Sequence, residues 1–163
     1  NISPSLLPDA LPISKAVQSY LSATSSFSPE WSGSILRMLP ESARDASPLL
    51  REHLRILSAG ICIGETKGKD FIPAEELALS TALCPEAFPM ADLDWDDAIR
   101  YLKKEALLLP AGTEKGYVLV RYKKFPLGFT KHLGNRANNL YPQEWRIRTG
   151  YVPEQVKTML SLL

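Results

Sequence analysis

The residues best suited to chemistry lie in one stretch near the C-terminus, over residues 121–148. This stretch holds seven lysines and arginines against a single acid, Glu144, so its net charge is +6. The whole chain has a formal net charge of only +1, and the remaining residues therefore carry −5 together. Five aromatic rings and three asparagines are interleaved with the cations. Cations for phosphates, rings for bases and amides for base edges indicate RNA binding, whereas the alternative is a solvated surface whose rings pack inward.

Within this stretch, Lys131 and Arg136 are expected to contact phosphates, with help from neighbouring cations. The asparagines could bind base edges or satisfy the backbone of a tight turn, and we expect the turn role for at least one of them. Tyr141 could stack on a base or pack beside Pro142. The turn ETKGKD, over residues 65–70, would add a second basic edge if it lies beside the main stretch. The candidate RNA-binding residues are Lys131, Arg136, Asn135, Asn138, Asn139, Tyr141, Lys123, Lys124, Arg146, Arg148, Lys67 and Lys69.

The remaining reactive side chains give no catalytic or metal site. His53 and His132 lack an evident partner for acid–base catalysis, so we expect no catalytic residue. Cys62 and Cys84 are far apart in sequence, without a CxxC pair, and we expect two buried, reduced thiols and no metal. The chain has no apolar run of the roughly 20 residues that a bilayer requires, and NISPSLLPDALPIS lacks the features of a signal peptide. These features favour a cytoplasmic protein without a membrane partner.

Hydrophobic periodicity predicts short elements of both kinds. Three prolines make residues 1–12 an extended connector, residues 13–23 have the spacing of an amphipathic helix, and residues 34–39 resemble a strand. Further strands are predicted at 59–64, 117–122, 126–131 and 144–148. Helices are predicted at 73–80 and after the N-cap Asp94. A final helix over residues 153–163 would place Val156, Met159, Leu160 and Leu163 on one face.

This pattern predicts an α+β chain built around a small mixed β-barrel with two interrupting helices. A small α/β accessory segment precedes the barrel. We expect residues 1–48 to form the linker and accessory segment, 49–150 the RNA-binding domain, and 151–163 the C-terminal helix. The accessory segment is too small to bury a core alone, and it should pack against the barrel domain.

The string GFTKHLGNRANNLYP, over residues 128–142, resembles the signature that closes RsmF-type RNA 5-methylcytosine methyltransferases of the Fmu/Sun family. In that family the signature lies in a C-terminal domain similar to the PUA fold. Residues 54–80 are similar to the opening strand, turn and first helix of that domain, and residues 92–110 to its second helix. The resemblance covers about residues 50–148, and the N-terminal third more loosely resembles the small domain that links catalytic core and PUA domain. It implies a PUA-like fold and binding to RNA, expected to be rRNA, and not to DNA.

Methyltransferases of this class also need features that the sequence lacks. There is no G-x-G-x-x-G loop for S-adenosylmethionine, and neither cysteine has the proline-cysteine context of their nucleophile. We therefore expect a non-catalytic module, with S-adenosylmethionine bound by a catalytic core outside this chain. That catalytic domain of the parent protein would be its partner.

A function of another class stays open, namely a protein-docking domain. It would use the amphipathic segment 153–163 and the acidic segment 92–97. Docking through apolar side chains predicts little dependence on salt, whereas RNA binding predicts a steep loss of affinity with salt.

Overall fold

A computed structural model describes residues 15–22 and 26–150. The helices are short, and most of the regular structure is in strands. The elements in chain order are α1 (Lys15–Ser19), β1 (Phe27–Ser32), β2 (Ile35–Pro40), α2 (Glu41–Arg44), α3 (Ala46–His53), β3 (Ile61–Lys67), β4 (Asp70–Pro73), α4 (Glu75–Ala78), a 3₁₀ turn (Pro85–Ala87), β5 (Met90–Leu93), α5 (Trp95–Leu102), β6 (Gly116–Tyr122), β7 (Phe125–His132) and β8 (Ala137–Asn139).

The first sheet is antiparallel and has the order β1-β2-β3-β4. The pairing of β2 with β3 joins the N-terminal third to the next part of the chain, as expected for a region too small to be stable alone. The boundary predicted at residue 48 lies within α3, and the division into domains stays a prediction.

The second sheet has the order β5-β6-β7-β8, in which β5 is parallel to β6 and the other pairs are antiparallel. The parallel pair requires a crossover, which α5 supplies. The predicted N-cap of this helix is confirmed, because Asp94 Oδ1 accepts a hydrogen bond of 2.8 Å from the backbone N–H of Asp97. The strands predicted at 117–122 and 126–131 are also confirmed, and they pair as the antiparallel hairpin of β6 and β7. Its turn residues Lys123 and Lys124 both have positive φ, which matches the twist of the strands.

The core consists of two clusters, one on each face of the second sheet. Leu119 and Phe129 point toward the first sheet, where they pack with buried residues such as Leu36 and Ile63. Val118 and Val120, on the other face of β6, pack beneath α5. Both faces of β6 are therefore buried, so the strand is a continuous apolar run over Val118, Leu119 and Val120.

The predicted α+β class is confirmed, with two four-stranded sheets among the described residues. One predicted strand is wrong: residues 144–148 are not in a strand, because the backbone N–H of Ile147 donates to the carbonyl oxygen of Leu102 at the end of α5 (2.9 Å). The connector 1–12 and the helix 153–163 lie outside the described residues. Within the described ranges, no helix combines the length and apolar character that a bilayer crossing requires.

Candidate RNA-binding surface

The aromatic rings of the basic stretch differ in burial. Phe129 is fully buried between the sheets. Tyr141 is half-buried, and its ring centroid lies 5.3 Å from that of Tyr101. Phe125 and Trp145 are instead 63% and 50% exposed. Inward packing therefore accounts for some of the rings but leaves two aromatic side chains on the surface beside cations.

Lys131 lies where the two sheets meet. Antiparallel pairing places Tyr117, Lys131 and Asn138 side by side across β6, β7 and β8. The Nζ atom of Lys131 lies 5.1 Å from the centroid of the Tyr117 ring and 2.6 Å from Asp70 Oδ2. The hydrogen bond with Asp70 is the largest cause of a raised Lys131 pKa, which keeps the side chain cationic.

Asp70 is the first residue of β4, directly after the β3–β4 turn, and its ion pair with Lys131 brings this turn beside the basic stretch. The turn carries Lys67 and Lys69, which are exposed and form no ion pair with any described residue. The Asp70–Lys131 ion pair places this turn beside the basic stretch, which is the arrangement that a second basic edge would require. The role of Lys67 and Lys69 in RNA binding stays a prediction.

Arg136 and Asn135 lie in the exposed turn between β7 and β8. Gly134 in this turn has φ +104°, and a Cβ atom there would lie 2.8 Å from Lys115 Cε. Lys115 therefore lies over the turn, although it precedes the basic stretch in sequence. The pairing of Gly116 with His132 explains this position. The position of Lys115 could have been inferred from the sequence once β6 and β7 were paired.

Lys123 and Lys124 lie at the opposite end of the β6–β7 hairpin from Arg136. Seven residues of β6 separate the two ends, or about 20 Å at the usual strand rise. Close to the two lysines, Arg121 forms a two-pronged ion pair with Asp92, at 3.0 and 2.6 Å. The positive charge of the stretch is therefore distributed over separate parts of the surface, and part of it is neutralised.

Asn139 stabilises the backbone. Its Nδ2 donates to the carbonyl oxygens of Tyr101 (2.8 Å) and Glu105 (3.0 Å), and its Oδ1 accepts from the N–H of Tyr141 (2.9 Å). This is the turn role expected for at least one asparagine. Asn138, by contrast, has an exposed side chain.

Arg146 and Arg148 line a groove at the end of α5. The groove has a volume of about 400 Å³ and is bounded by Lys103, Glu105 and residues 146–150. The hydrogen bond from Ile147 to Leu102 fixes the segment against the helix, so the two arginines flank an anchored residue. Neither arginine forms an ion pair with a described residue, and both are exposed.

Gly128, the first residue of the closing motif, contacts a buried polar pair that the sequence did not reveal. The Tyr101 hydroxyl donates to Glu75 Oε2 at 3.0 Å, and Glu75 is only 7% exposed. Burial raises the Glu75 pKa to about 7, which hydrogen bonding by Tyr101 and the Phe129 backbone partly opposes. A Cβ atom on Gly128 would lie 2.0 Å from the Tyr101 hydroxyl oxygen and 2.2 Å from Glu75 Oε2, so only glycine fits.

His132 and the two cysteines have structural surroundings, whereas His53 is exposed on α3, with its Nε2 atom 4.0 Å from Glu52 Oε2. His132 is buried, with its Nδ1 atom 3.1 Å from the carbonyl oxygen of Glu114. Cys62 and Cys84 are half-buried and form no disulfide, so the expectation of buried thiols is met only in part. Burial raises the pKa of the Cys62 thiol. No group of three or more potential metal ligands is found within residues 15–22 and 26–150.

Comparison with known proteins finds relatives for the segment that contains most of this surface. Residues 89–147 match the family described as the methyltransferase RsmF PUA domain. The chain is also similar to the ribosomal RNA small subunit methyltransferase F of Shewanella baltica (strain OS195), with 31% identity over 111 residues. The alignment covers 65% of this chain and 23% of that relative's length. The resemblance carried by the closing motif is thus confirmed, and residues 89–147 are similar to RsmF PUA domains.

Proposed function

We propose that this chain is an RNA-binding module that positions rRNA for an S-adenosylmethionine-dependent cytosine-C5 methyltransferase core. The observation that supports this proposal most is the placement of exposed cations on a segment that matches an RsmF PUA domain. Lys131, Arg136 and the lysines of the β3–β4 turn lie on strands and tight turns that the packed core holds in place. Cations on rigid elements bind phosphates at less entropic cost than cations on mobile tails.

Recognition in this proposal is mainly of the RNA backbone. Lys67, Lys69 and Arg136 lack ion pairs with described residues and can contact phosphates without breaking an existing interaction. The exposed amides of Asn135 and Asn138 are free to contact base edges or ribose hydroxyls next to them. Asn139 and Tyr141 contribute by supporting the surface rather than by direct contact.

The proposal also covers the fold, the catalytic partner and the cellular location of the chain. The strands of the two sheets would correspond to the small barrel of a PUA-like domain. Catalysis and the binding of S-adenosylmethionine would belong to a catalytic domain that is the partner of this module. A cytoplasmic location fits the two unpaired thiols.

A salt titration tests the proposal. The binding of a labelled, structured rRNA fragment would be measured at several salt concentrations for the wild-type chain and for the variant Lys131→Ala/Arg136→Ala. Each lost phosphate contact should reduce the slope of log affinity against log salt by about 1, so the double variant should lose about 2. The matched control is Arg44→Ala/Arg55→Ala, which removes the same charge outside residues 89–147.

Equal affinity and equal slope in the double variant and the wild-type chain would overturn the assignment of these two residues. If the rRNA fragment shows no salt-dependent binding to the wild-type chain, the protein-docking function is favoured instead. In that case apolar contacts, rather than phosphates, would supply the binding energy.

A further inference from the structure

The groove at the end of α5 is lined by cations, and the exposed ring of Trp145 immediately precedes its lining residues in the chain. Lys103, Arg146 and Arg148 contribute three positive charges and Glu105 one negative charge, so the groove has a net charge of +2. None of these four side chains forms an ion pair with a described residue. Their charges are therefore available to a ligand, and the balance favours an anionic one.

Trp145 immediately precedes the two arginines and remains half-exposed. Its backbone N–H donates to the carbonyl oxygen of Pro142 at 3.2 Å, which closes a turn. This turn fixes the backbone position from which the indole side chain extends. Its ring meets that of Tyr141 edge to face, with centroids 6.4 Å apart and planes at 76°. Tyr141 therefore does not stack in parallel on the indole. An exposed indole on an anchored turn retains a large apolar face for a planar ligand.

We infer that this groove binds an unpaired nucleotide of RNA, with its base stacked on Trp145 and its adjacent phosphates held by Lys103, Arg146 and Arg148. The inference rests on the proposed RNA-binding function and adds a ligand class and two residues, Trp145 and Lys103, to it. An exposed indole adjacent in the chain to the arginines of a cationic groove supplies the stacking face and the positive charge that single-stranded nucleic acid binds. The volume of about 400 Å³ is large enough to admit one nucleotide.

The anchoring of the groove makes it a preformed site. The Asn139 side chain donates to the carbonyl oxygens of Tyr101 and Glu105, and Ile147 donates to that of Leu102. These bonds occupy the carbonyl groups of Tyr101 and Leu102 at the end of α5 and that of Glu105 just beyond it, which would otherwise repel an anion. The helix end and the segment 146–148 are thus joined, and binding need not order either of them.

The decisive experiment measures binding of a short single-stranded RNA and of a version with an abasic central nucleotide to the full chain. For the wild-type chain we expect tighter binding of the intact strand and quenching of tryptophan fluorescence. Trp145→Ala should weaken binding of the intact strand by about fivefold to a hundredfold, because stacking is lost, and should bind both strands alike. Phe125→Ala removes the other exposed ring of the basic stretch and should leave the preference for the intact strand unchanged.

Three further variants distinguish the loss of a contact with RNA from a failure of the variant to fold. Trp145→Phe keeps an aromatic face, so it should retain most of the affinity while losing most of the quenching. Lys103→Ala should reduce the salt slope by about 1, whereas Glu105→Gln should raise affinity because a charge that repels phosphate is removed.

Two outcomes separate this inference from the proposed function. If Trp145→Ala binds the intact strand as the wild-type chain does, the nucleotide site is wrong, even where Lys131→Ala/Arg136→Ala still weakens binding of the structured rRNA. If neither RNA binds in a salt-dependent manner, both the proposed function and the nucleotide site are wrong.

Discussion

The Nζ atom of Lys131 lies 2.6 Å from Asp70 Oδ2, and this ion pair joins β7 of the second sheet to the start of β4 in the first. The pair has two opposite effects on an RNA-binding surface. It places Lys67 and Lys69 beside Lys131, which concentrates positive charge. It also provides Lys131 with a carboxylate, which a phosphate must displace.

We therefore expect Asp70→Asn to tighten RNA binding. The substitution removes one negative charge and frees Lys131, so affinity should rise several-fold at low salt and the salt slope should steepen by about 1. Stability should change little, because both side chains are partly exposed and surface ion pairs contribute little. The control is Asp92→Asn, which frees Arg121 elsewhere on the sheet. Weaker binding by Asp70→Asn would mean that Asp70 is needed to orient the lysine.

A second prediction concerns pH and the buried Glu75. In the folded chain this carboxyl keeps its proton up to about pH 7, whereas its ordinary pKa is 4.5. The folded state therefore binds more protons than the unfolded state between these values. The free energy of unfolding should decrease as the pH rises through this window, by up to about 3 kcal/mol from this group. Below pH 4.5 its contribution should be constant.

Urea denaturation of the wild-type chain and of Glu75→Gln between pH 4.5 and pH 8 measures this contribution to the free energy of unfolding. Glutamine keeps an oxygen that can accept from the Tyr101 hydroxyl but cannot ionise. The variant should therefore become more stable than the wild-type chain by an increasing margin as the pH rises. Parallel stability curves would show that Glu75 titrates normally.

Local features of the fold could be predicted from the sequence. The Asp94 cap and the two strands of the β6–β7 hairpin depend on residues that are close in sequence, and these predictions are confirmed. The assignment of residues 144–148 to a strand failed because alternation alone does not reveal the partner of a backbone N–H. The backbone N–H of Ile147 donates to a carbonyl oxygen at the end of α5 rather than to a neighbouring strand.

The candidate surface was predictable in composition but not in arrangement. The sequence shows where cations are concentrated, but not that Lys131 meets a carboxylate 61 residues away. Nor does it show the buried pair of Glu75 and Tyr101, which are 26 residues apart. Such contacts depend on how the two sheets pack. The burial of individual rings depends on the same packing, which is why Trp145 could not be distinguished from Phe129 beforehand.

The two neighbouring asparagines should respond differently to alanine. Asn139→Ala removes three hydrogen bonds and leaves carbonyl oxygens of α5 and the N–H of Tyr141 with fewer partners. It should lower the free energy of unfolding by about 1–3 kcal/mol. Asn138→Ala changes an exposed side chain on the same strand, so its stability should stay within about 0.5 kcal/mol of the wild-type value. Chemical denaturation measures both, and equal losses would contradict the distinction.

Gly128 should be the least replaceable glycine of the closing motif. Its φ is +150°, and a Cβ atom would overlap the Tyr101 hydroxyl and the Glu75 carboxylate. Gly128→Ala should therefore force the buried pair apart and lower the free energy of unfolding by at least about 2 kcal/mol. The matched control is Gly116→Ala on the paired strand, where φ is +119° and no atom lies within 4 Å of the added carbon. That variant incurs backbone strain alone, at about 1 kcal/mol. Both variants are measured in the same denaturation experiment, so the difference between their free energies of unfolding isolates the overlap with Glu75 and Tyr101. Similar losses in the two variants would show that the buried pair can move aside.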